Sequence, residues 1–328
     1  MDENISIVGG AGFLGTKLSS ILSKANVKHK TFDINFDESS SNFVDVENIN
    51  SLEKLKNSSV IINLAAIHRD DIKPISRYDD VNIGGAKNIC SCASKYDINT
   101  IIFTSSVAIY GFAPKNTGED GNPNYFNDYG RTKYQAELIY KKWQSENPKD
   151  RTLVIIRPTV IFGEGNRGNV YNLLNQIYRK RFVMIGKGDN VKSIAYVDNV
   201  ASFIKYSLNK NSGTHVYNYI DKPDLDMNSL VKLIRKNLFQ KDNVGLRLPR
   251  FLGLIVGYFA DLISFISGIS LPISSIRVKK FLSNSMFSSK ISETNFEPPF
   301  NLTDGLINTI KYEFVEDNKN KKKFYSEW

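Results

Sequence analysis

The sequence predicts an α/β chain built on a doubly wound parallel sheet. Short apolar runs recur through its first half, at Ile5 to Val8, Val60 to Leu64, Thr100 to Thr104 and Leu153 to Ile156. Helix-length segments separate them, and that alternation builds βαβ units with parallel strands. A glycine cluster, GGAGFLG, follows the first run directly.

Taken in order, Ile5 to Val8 reads as a buried strand. Gly9 to Gly15 then turns the chain, and an apolar helical pattern runs from Phe13 to Leu22. Lys30 to Ile34 reads as a second strand. The three later runs supply the remaining strands. From about Pro158 onward, segments of the two kinds alternate. The 328 residues exceed one typical domain. We expect a dinucleotide-binding region over 1–157, a substrate region over 158–315 that exchanges chain with it, and a basic tail over 316–328. The tail, with NKNKKKF, reads as solvated or disordered.

Composition narrows the function. Hydrophobic residues at 41% and charged residues at 23% allow a full globular core. A net charge of +9 favours anionic partners such as phosphorylated metabolites or acidic lipid. No zinc-finger spacing or base-stacking aromatic motif is present, so no nucleic-acid partner is expected. Two cysteines, Cys90 and Cys92, and three scattered histidines make no metal set; the thiols read as small buried groups in a reduced compartment. The N-terminus MDENISIVGG lacks the pattern of a secretory leader, so the expected location is the cytoplasm.

The glycines point to a cofactor. Gly9 permits the tight turn, Gly12 lets backbone approach a diphosphate at the helix start, and Gly15 allows close helix–strand packing. Phe13 and Leu14 share that turn. Asp33 ends the second strand, where a carboxylate accepts from ribose hydroxyls and repels a 2′-phosphate, which favours NAD over NADP. The alternative reading of Asp33 is a surface aspartate in a turn. Asp45 and Val46 are placed to flank the adenine, and Leu64, Ala65 and Ala66 to pass beneath the cofactor.

FTSSVAIYG, Phe103 to Gly111, and YGRTK, Tyr129 to Lys133, carry the chemistry. Tyr129 and Lys133 are four apart on one helix face. A lysine held there favours the phenolate and makes Tyr129 a general base. Tyr206 and Lys210 share the spacing, but no strand-end hydroxyl precedes them. Ser106 supplies one for Tyr129.

These features together resemble the extended short-chain dehydrogenase/reductase family. IRPTVIFG, Ile156 to Gly163, and YVDNVA, Tyr196 to Ala201, are similar to its later motifs. The similarity runs from Ile5 to Phe314. It implies a Rossmann domain with a smaller C-terminal α/β substrate domain, Ser106, Tyr129 and Lys133 as the catalytic triad, and Asn82 and Pro158 beside the NAD. It also implies a diphosphate-linked sugar as substrate. The family's dehydratases carry an Asp-Glu pair after the strand-end hydroxyl; Val107 and Ala108 stand there in this chain, which leaves 4-epimerases and 4-keto reductases.

AAIHRDD (65–71), GNRGNVYNLL (165–174), VYNYIDKPDL (216–225) and SSIRVKKF (274–281) resemble one bacterial subgroup of surface-polysaccharide epimerases. The resemblance implies a 4-epimerase in O-antigen biosynthesis acting on an N-acetylhexosamine linked to undecaprenyl diphosphate. A UDP-linked sugar, a reductase and a non-catalytic NAD sensor are the alternatives. Arg167, Asn169, Lys187, Lys192 and Arg277 are candidates to hold the diphosphate-sugar, and His68 and Arg69 follow a strand end where such sheets bind ligands. Each of the charged ones reads equally as a surface charge.

Phe251 to Ser270 is the longest apolar stretch and carries one charge, Asp261. On a helix, Gly253, Gly257, Asp261, Ser264 and Gly268 share one face. Three readings are open: a buried helix pair, a helix in the interface on the cytoplasmic face of a membrane with Arg247, Arg250, Arg277, Lys279 and Lys280 on acidic headgroups, or a homodimer face. Its glycines, serines and aspartate argue against a full span.

Overall fold

The computed structural model describes residues 4–69, 72–269, 271, 274–318 and 322–325. The chain begins with β1 (Ile5–Val8), α1 (Phe13–Lys24), β2 (His29–Phe32) and β3 (Val60–Asn63). The short α2 (Ser76–Tyr78) runs through a π-helical turn, Asp79–Gly84, into α3 (Gly85–Lys95). β4 (Thr100–Thr104), a 3₁₀ turn over Val107–Tyr110, α4 (Asp128–Ser145) and β5 (Thr152–Pro158) follow. Beyond them lie β6 (Val160–Phe162), α5 (Asn169–Tyr178), β7 (Met184–Ile185), β8 (Val191–Lys192), β9 (Ile194–Tyr196), α6 (Val197–Ser207) and β10 (Gly213–Tyr219). The chain ends with β11 (Leu225–Asp226), α7 (Met227–Phe239), β12 (Arg247–Leu248), α8 (Arg250–Ser267), α9 (Ser275–Leu282) and α10 (Leu302–Phe314).

Six strands form one parallel sheet in the order β10-β5-β4-β3-β1-β2. This is the Rossmann-type arrangement expected. The strand order reverses at β1, so a crevice opens between the carboxyl ends of β1 and β3, where such sheets take ligands. The sixth strand, β10, comes from beyond Pro158.

Strand alternation sends side chains to two cores. Ile61, Ile101, Phe103, Leu153 and Ile155 meet Ile89, Ala136, Tyr140 and Trp143 of α3 and α4 on one face. Ile5, Ile7, Ile62, Ile102, Val154 and Ile156 meet Leu18, Leu22, Phe203 and Ile204 of α1 and α6 on the other. Burying each such side chain is worth about 1.5–3 kcal/mol, which is why both faces of every central strand are apolar. A third core, including Leu174, Tyr196, Leu230, Ile234 and Leu306, holds the C-terminal region.

The long apolar stretch corrects one expectation. In α8 only Gly253, Gly257 and Ala260 are buried. A Cβ on Gly253 would lie 2.5 Å from Ile185, and one on Gly257 2.9 Å from Ser275 Cα. The small residues therefore seat α8 against β7 and α9, as their spacing predicts, and Asp261 accepts from the Ser275 amide at 3.2 Å. Gly268 caps the helix in the left-handed region, at φ +69°. The broad opposite face is not a buried helix pair. Phe259 is 63% exposed, Phe265 87% and Ile266 75%, because the domain places no element across it among the described residues. By length and composition alone α8 could cross a membrane. Ser270, the last residue of the stretch, lies outside the described residues.

Candidate active site

The glycine-rich turn is built by steric necessity. A Cβ on Gly9, which has φ +80°, would stand 2.7 Å from the Ala65 amide, and one on Gly15 2.4 Å from the Gly9 carbonyl. Gly9 and Gly10 both donate to the Phe32 carbonyl, at 2.9 and 3.0 Å. The Leu64 amide donates to the Val8 carbonyl at 2.9 Å, and Ala65 to Asn63 Oδ1 at 3.1 Å. The ends of β1, β2 and β3 are thus drawn together around the crevice.

Asp33 stands just past β2, is 6% exposed, and its carboxylate accepts from the Ala11 amide at 3.0 Å and the Asn35 amide at 2.9 Å. No side chain caps α1 at Gly12, so the first-turn amides are left for an anion. Glycine cradle, uncapped helix start and carboxylate fit a dinucleotide such as NAD. Val46 packs on Gly85, whose Cβ would meet it at 2.8 Å, and Asp45 Oδ1 accepts the Glu47 amide. Both lie on the loop beyond Asp33.

Catalytic candidates converge from β4 and α4. Ser106 caps the turn after β4, its hydroxyl accepting from the Ala108 amide at 3.1 Å. Asn127 caps α4 through the Gly130 amide at 2.9 Å, which sets Tyr129 in the first turn. Gly130 packs so closely that a Cβ would meet the Ala108 carbonyl at 2.5 Å, locking helix to turn. Lys133 is 3% exposed. Its ammonium donates to the Thr104 carbonyl at 2.7 Å and lies 6.0 Å from the Tyr129 ring centroid. Burial pulls its pKa down to about 7 against the opposing pull of Glu137. The buried Thr104 hydroxyl beside it has no hydrogen-bond partner among the described residues.

Asn82 is committed to the scaffold. Its amide nitrogen donates to Ile67 O at 3.0 Å and Thr132 Oγ1 at 2.9 Å, and its oxygen accepts from Ile67 N at 2.9 Å. It thereby ties the loop after β3 to α4. His68 on that loop keeps an exposed edge. Desolvation by surrounding atoms, with the charges of Lys133 and Arg69 adding to it, lowers its pKa below the ordinary value. Arg69 accepts the Tyr78 hydroxyl at its carbonyl; Asp70 and Asp71 of the same motif lie outside the described residues. Pro158 ends β5, buried, on the same edge of the sheet.

The expected diphosphate candidates stand on different elements. Arg167 pairs with Glu313 of α10 at 2.6 Å and covers the Tyr171 ring at 4.0 Å. Lys192 donates to the Lys280 carbonyl at 2.8 Å, closing the end of α9, and burial lowers its pKa to about 8. Asn169 and Lys187 are exposed at the start of α5 and after β7, and Arg277 is exposed on α9.

Sequence reasoning missed two features. Phe112 and Phe126 stack at 5.1 Å on the loop between Ser106 and Tyr129, both about half exposed, and Lys280 of α9 lies 4.8 Å over Phe126. The tail is the second and a correction: residues 322–325 are docked, not free. Phe324 packs on Phe13 at 5.5 Å and pairs with the loop at Gly165. The aromatic residue among the lysines was the available signal, since disordered segments are poor in aromatics. Lys319 to Lys321, within NKNKKKF, lie outside the described residues.

A Rossmann-type sheet with a strand-end serine and a Tyr-x-x-x-Lys helix defines a class of nicotinamide-dependent enzymes. Residues 5–219 match the model of the NAD dependent epimerase/dehydratase family, and the chain belongs to that family. NAD is its cofactor. Among its relatives, the chain is 43% identical over 338 aligned positions, covering 100% of both sequences, to the N-acetyl-alpha-D-glucosaminyl-diphospho-ditrans,octacis-undecaprenol 4-epimerase of Escherichia coli O157:H7. It is 25% identical to the UDP-glucose 4-epimerase of Vibrio cholerae, covering 76% of this chain and 79% of that one. In fold it is similar to the UDP-glucose 4-epimerase of Thermotoga maritima, with TM-score 0.73 and 21% identity over 94% of this chain and 98% of that one.

Proposed function

We propose that the protein is a 4-epimerase that interconverts N-acetylglucosaminyl- and N-acetylgalactosaminyl-diphospho-undecaprenol. The carrying observation is the 43% identity, over the whole of both chains, with the Escherichia coli enzyme of that name. Bound NAD would supply the transient hydride acceptor for C4 of the sugar. Tyr129 takes the O4 proton, Ser106 hydrogen-bonds the same oxygen, and the Lys133 ammonium favours the phenolate. Val107 and Ala108 hold no acid or base, so no water is eliminated.

The lipid carrier is supported by α8. Its apolar face is exposed, and Arg277, Lys279 and Lys280 lie on the helix packed against it. Lys279 covers Tyr258 of α8 at 5.2 Å, and Lys280 covers Phe126, three residues before Tyr129. A membrane surface would on this reading lie one short helix away from the catalytic loop. On this reading the enzyme sits peripherally on the cytoplasmic face of the inner membrane, with α8 in the interface.

The test offers the purified protein UDP-linked and polyprenyl-diphosphate-linked N-acetylglucosamine in parallel, in detergent. Conversion of the lipid-linked sugar at a kcat/KM at least ~10²-fold above the UDP-sugar is expected. Preference for the UDP-sugar would assign the protein to the soluble nucleotide-sugar epimerases.

A further inference from the structure

The chain's last described segment reaches the cofactor cradle from the far end of the sequence. The Phe324 amide donates to the Gly165 carbonyl at 2.9 Å, and its carbonyl accepts from the Arg167 amide at 2.7 Å, so the segment runs as an added bridge along the loop after β6. Its ring packs on Phe13 with centroids 5.5 Å apart. The Lys322 ammonium donates to the Ala11 carbonyl at 2.9 Å and lies 4.9 Å from the Phe324 ring.

The receiving loop is shaped and held for this. Gly165 has φ +84°, and a Cβ there would stand 3.1 Å from the Lys322 carbonyl. Glu313 accepts the Gly165 amide at 2.7 Å with one oxygen and pairs with Arg167 through the other. A carboxylate 2% exposed thus braces the loop from behind.

Ala11 and Phe13 flank Gly12, the uncapped start of α1, whose first-turn amides would face the diphosphate of bound NAD. We propose that Lys322 and Phe324 are positioning residues of the NAD site. Phe324 clamps Phe13, and with it the first turn of α1, to the loop after β6. Lys322 fastens the glycine-rich turn through Ala11 and adds a positive charge beside the anion site. Cofactor release requires the turn to open, and opening breaks both contacts. An enzyme that must return to the sugar the hydride it has just removed gains from slow release. The inference rests on the NAD site alone and is indifferent to the sugar carrier.

The experiment uses the full-length chain and the variants Phe324→Ala, Lys322→Gln and their double, with Tyr325→Ala, an exposed neighbour, as control. NAD is displaced by excess fluorescent etheno-NAD and its release rate recorded; copurified NAD is measured by acid extraction. The double variant is expected to release NAD about tenfold faster and to copurify with less of it, with Tyr325→Ala unchanged. The melting temperature of the NAD-free forms separates packing from positioning: it should be the same in all. Release rates within twofold of wild type would overturn the proposal. So would a fall in NAD-free melting temperature that accounts for the whole change.

Discussion

Lys133 meets two conflicting demands. The proposed mechanism asks for an ammonium beside the Tyr129 phenol, and the fold buries that ammonium. Its pKa of about 7, against an ordinary 10.5, has a definite consequence for stability. Between those two values the unfolded chain binds the proton and the folded chain does not, so stability rises with pH through that window. Below about pH 7 the fold carries a buried charge at full cost. Lys133→Met in NAD-free protein should therefore melt higher than wild type at about pH 6. The gain should shrink toward about pH 10, while activity is lost at every pH. Equal melting in the acid range would contradict the burial argument. Tyr129→Phe keeps the ring and removes the phenol, so activity should fall at least ~10²-fold, the scale of a lost general base, with an unchanged circular dichroism spectrum. Near-normal turnover would assign the proton to another group. At this scale the pairing of Tyr129 with Lys133 was legible, because a four-residue spacing puts both on one face of α4. The role of Arg167 was not: its partner Glu313 lies 146 residues away, and only the fold brings them together.

Among the elements, α8 was half legible. Small residues at helical spacing gave its packed face, and Gly253 and Gly257 lie there against Ile185 and Ser275. What covers the other face depends on the neighbours the fold supplies, and the sequence carries no local sign of those. An apolar helix face among basic residues attracts acidic membranes, with each basic residue near the surface worth about 1 kcal/mol. Phe259→Glu with Phe265→Glu places two charges where acyl chains would be. Both side chains are exposed, so the fold should persist. Flotation with anionic liposomes at low salt should be lost, along with turnover of the lipid-linked sugar, while NAD binding remains. A variant that still floats would assign the face to another role; a wild-type dimer that becomes a monomer would make it a dimer interface. The tail was misread for the opposite reason: composition described its lysines well, and the contact of Phe324 with Phe13 joins opposite ends of the chain.

For the whole molecule, the sheet was legible nearly strand by strand because central strands must be apolar on both faces. The C-terminal region was not, since two-residue strands such as β7, β8, β11 and β12 have no periodicity to read. The assembled protein nonetheless faces one demand under the proposed mechanism: hydride leaves C4 and comes back to C4, with nothing consumed. N-acetylglucosamine labelled with deuterium at C4, linked to polyprenyl diphosphate and incubated without added reductant, tests this directly. The 4-epimer should retain the deuterium at C4, with no accumulation of absorbance at the reduced-nicotinamide band. Deuterium washed out into water, or turnover only with one equivalent of NADH consumed per product, would contradict it.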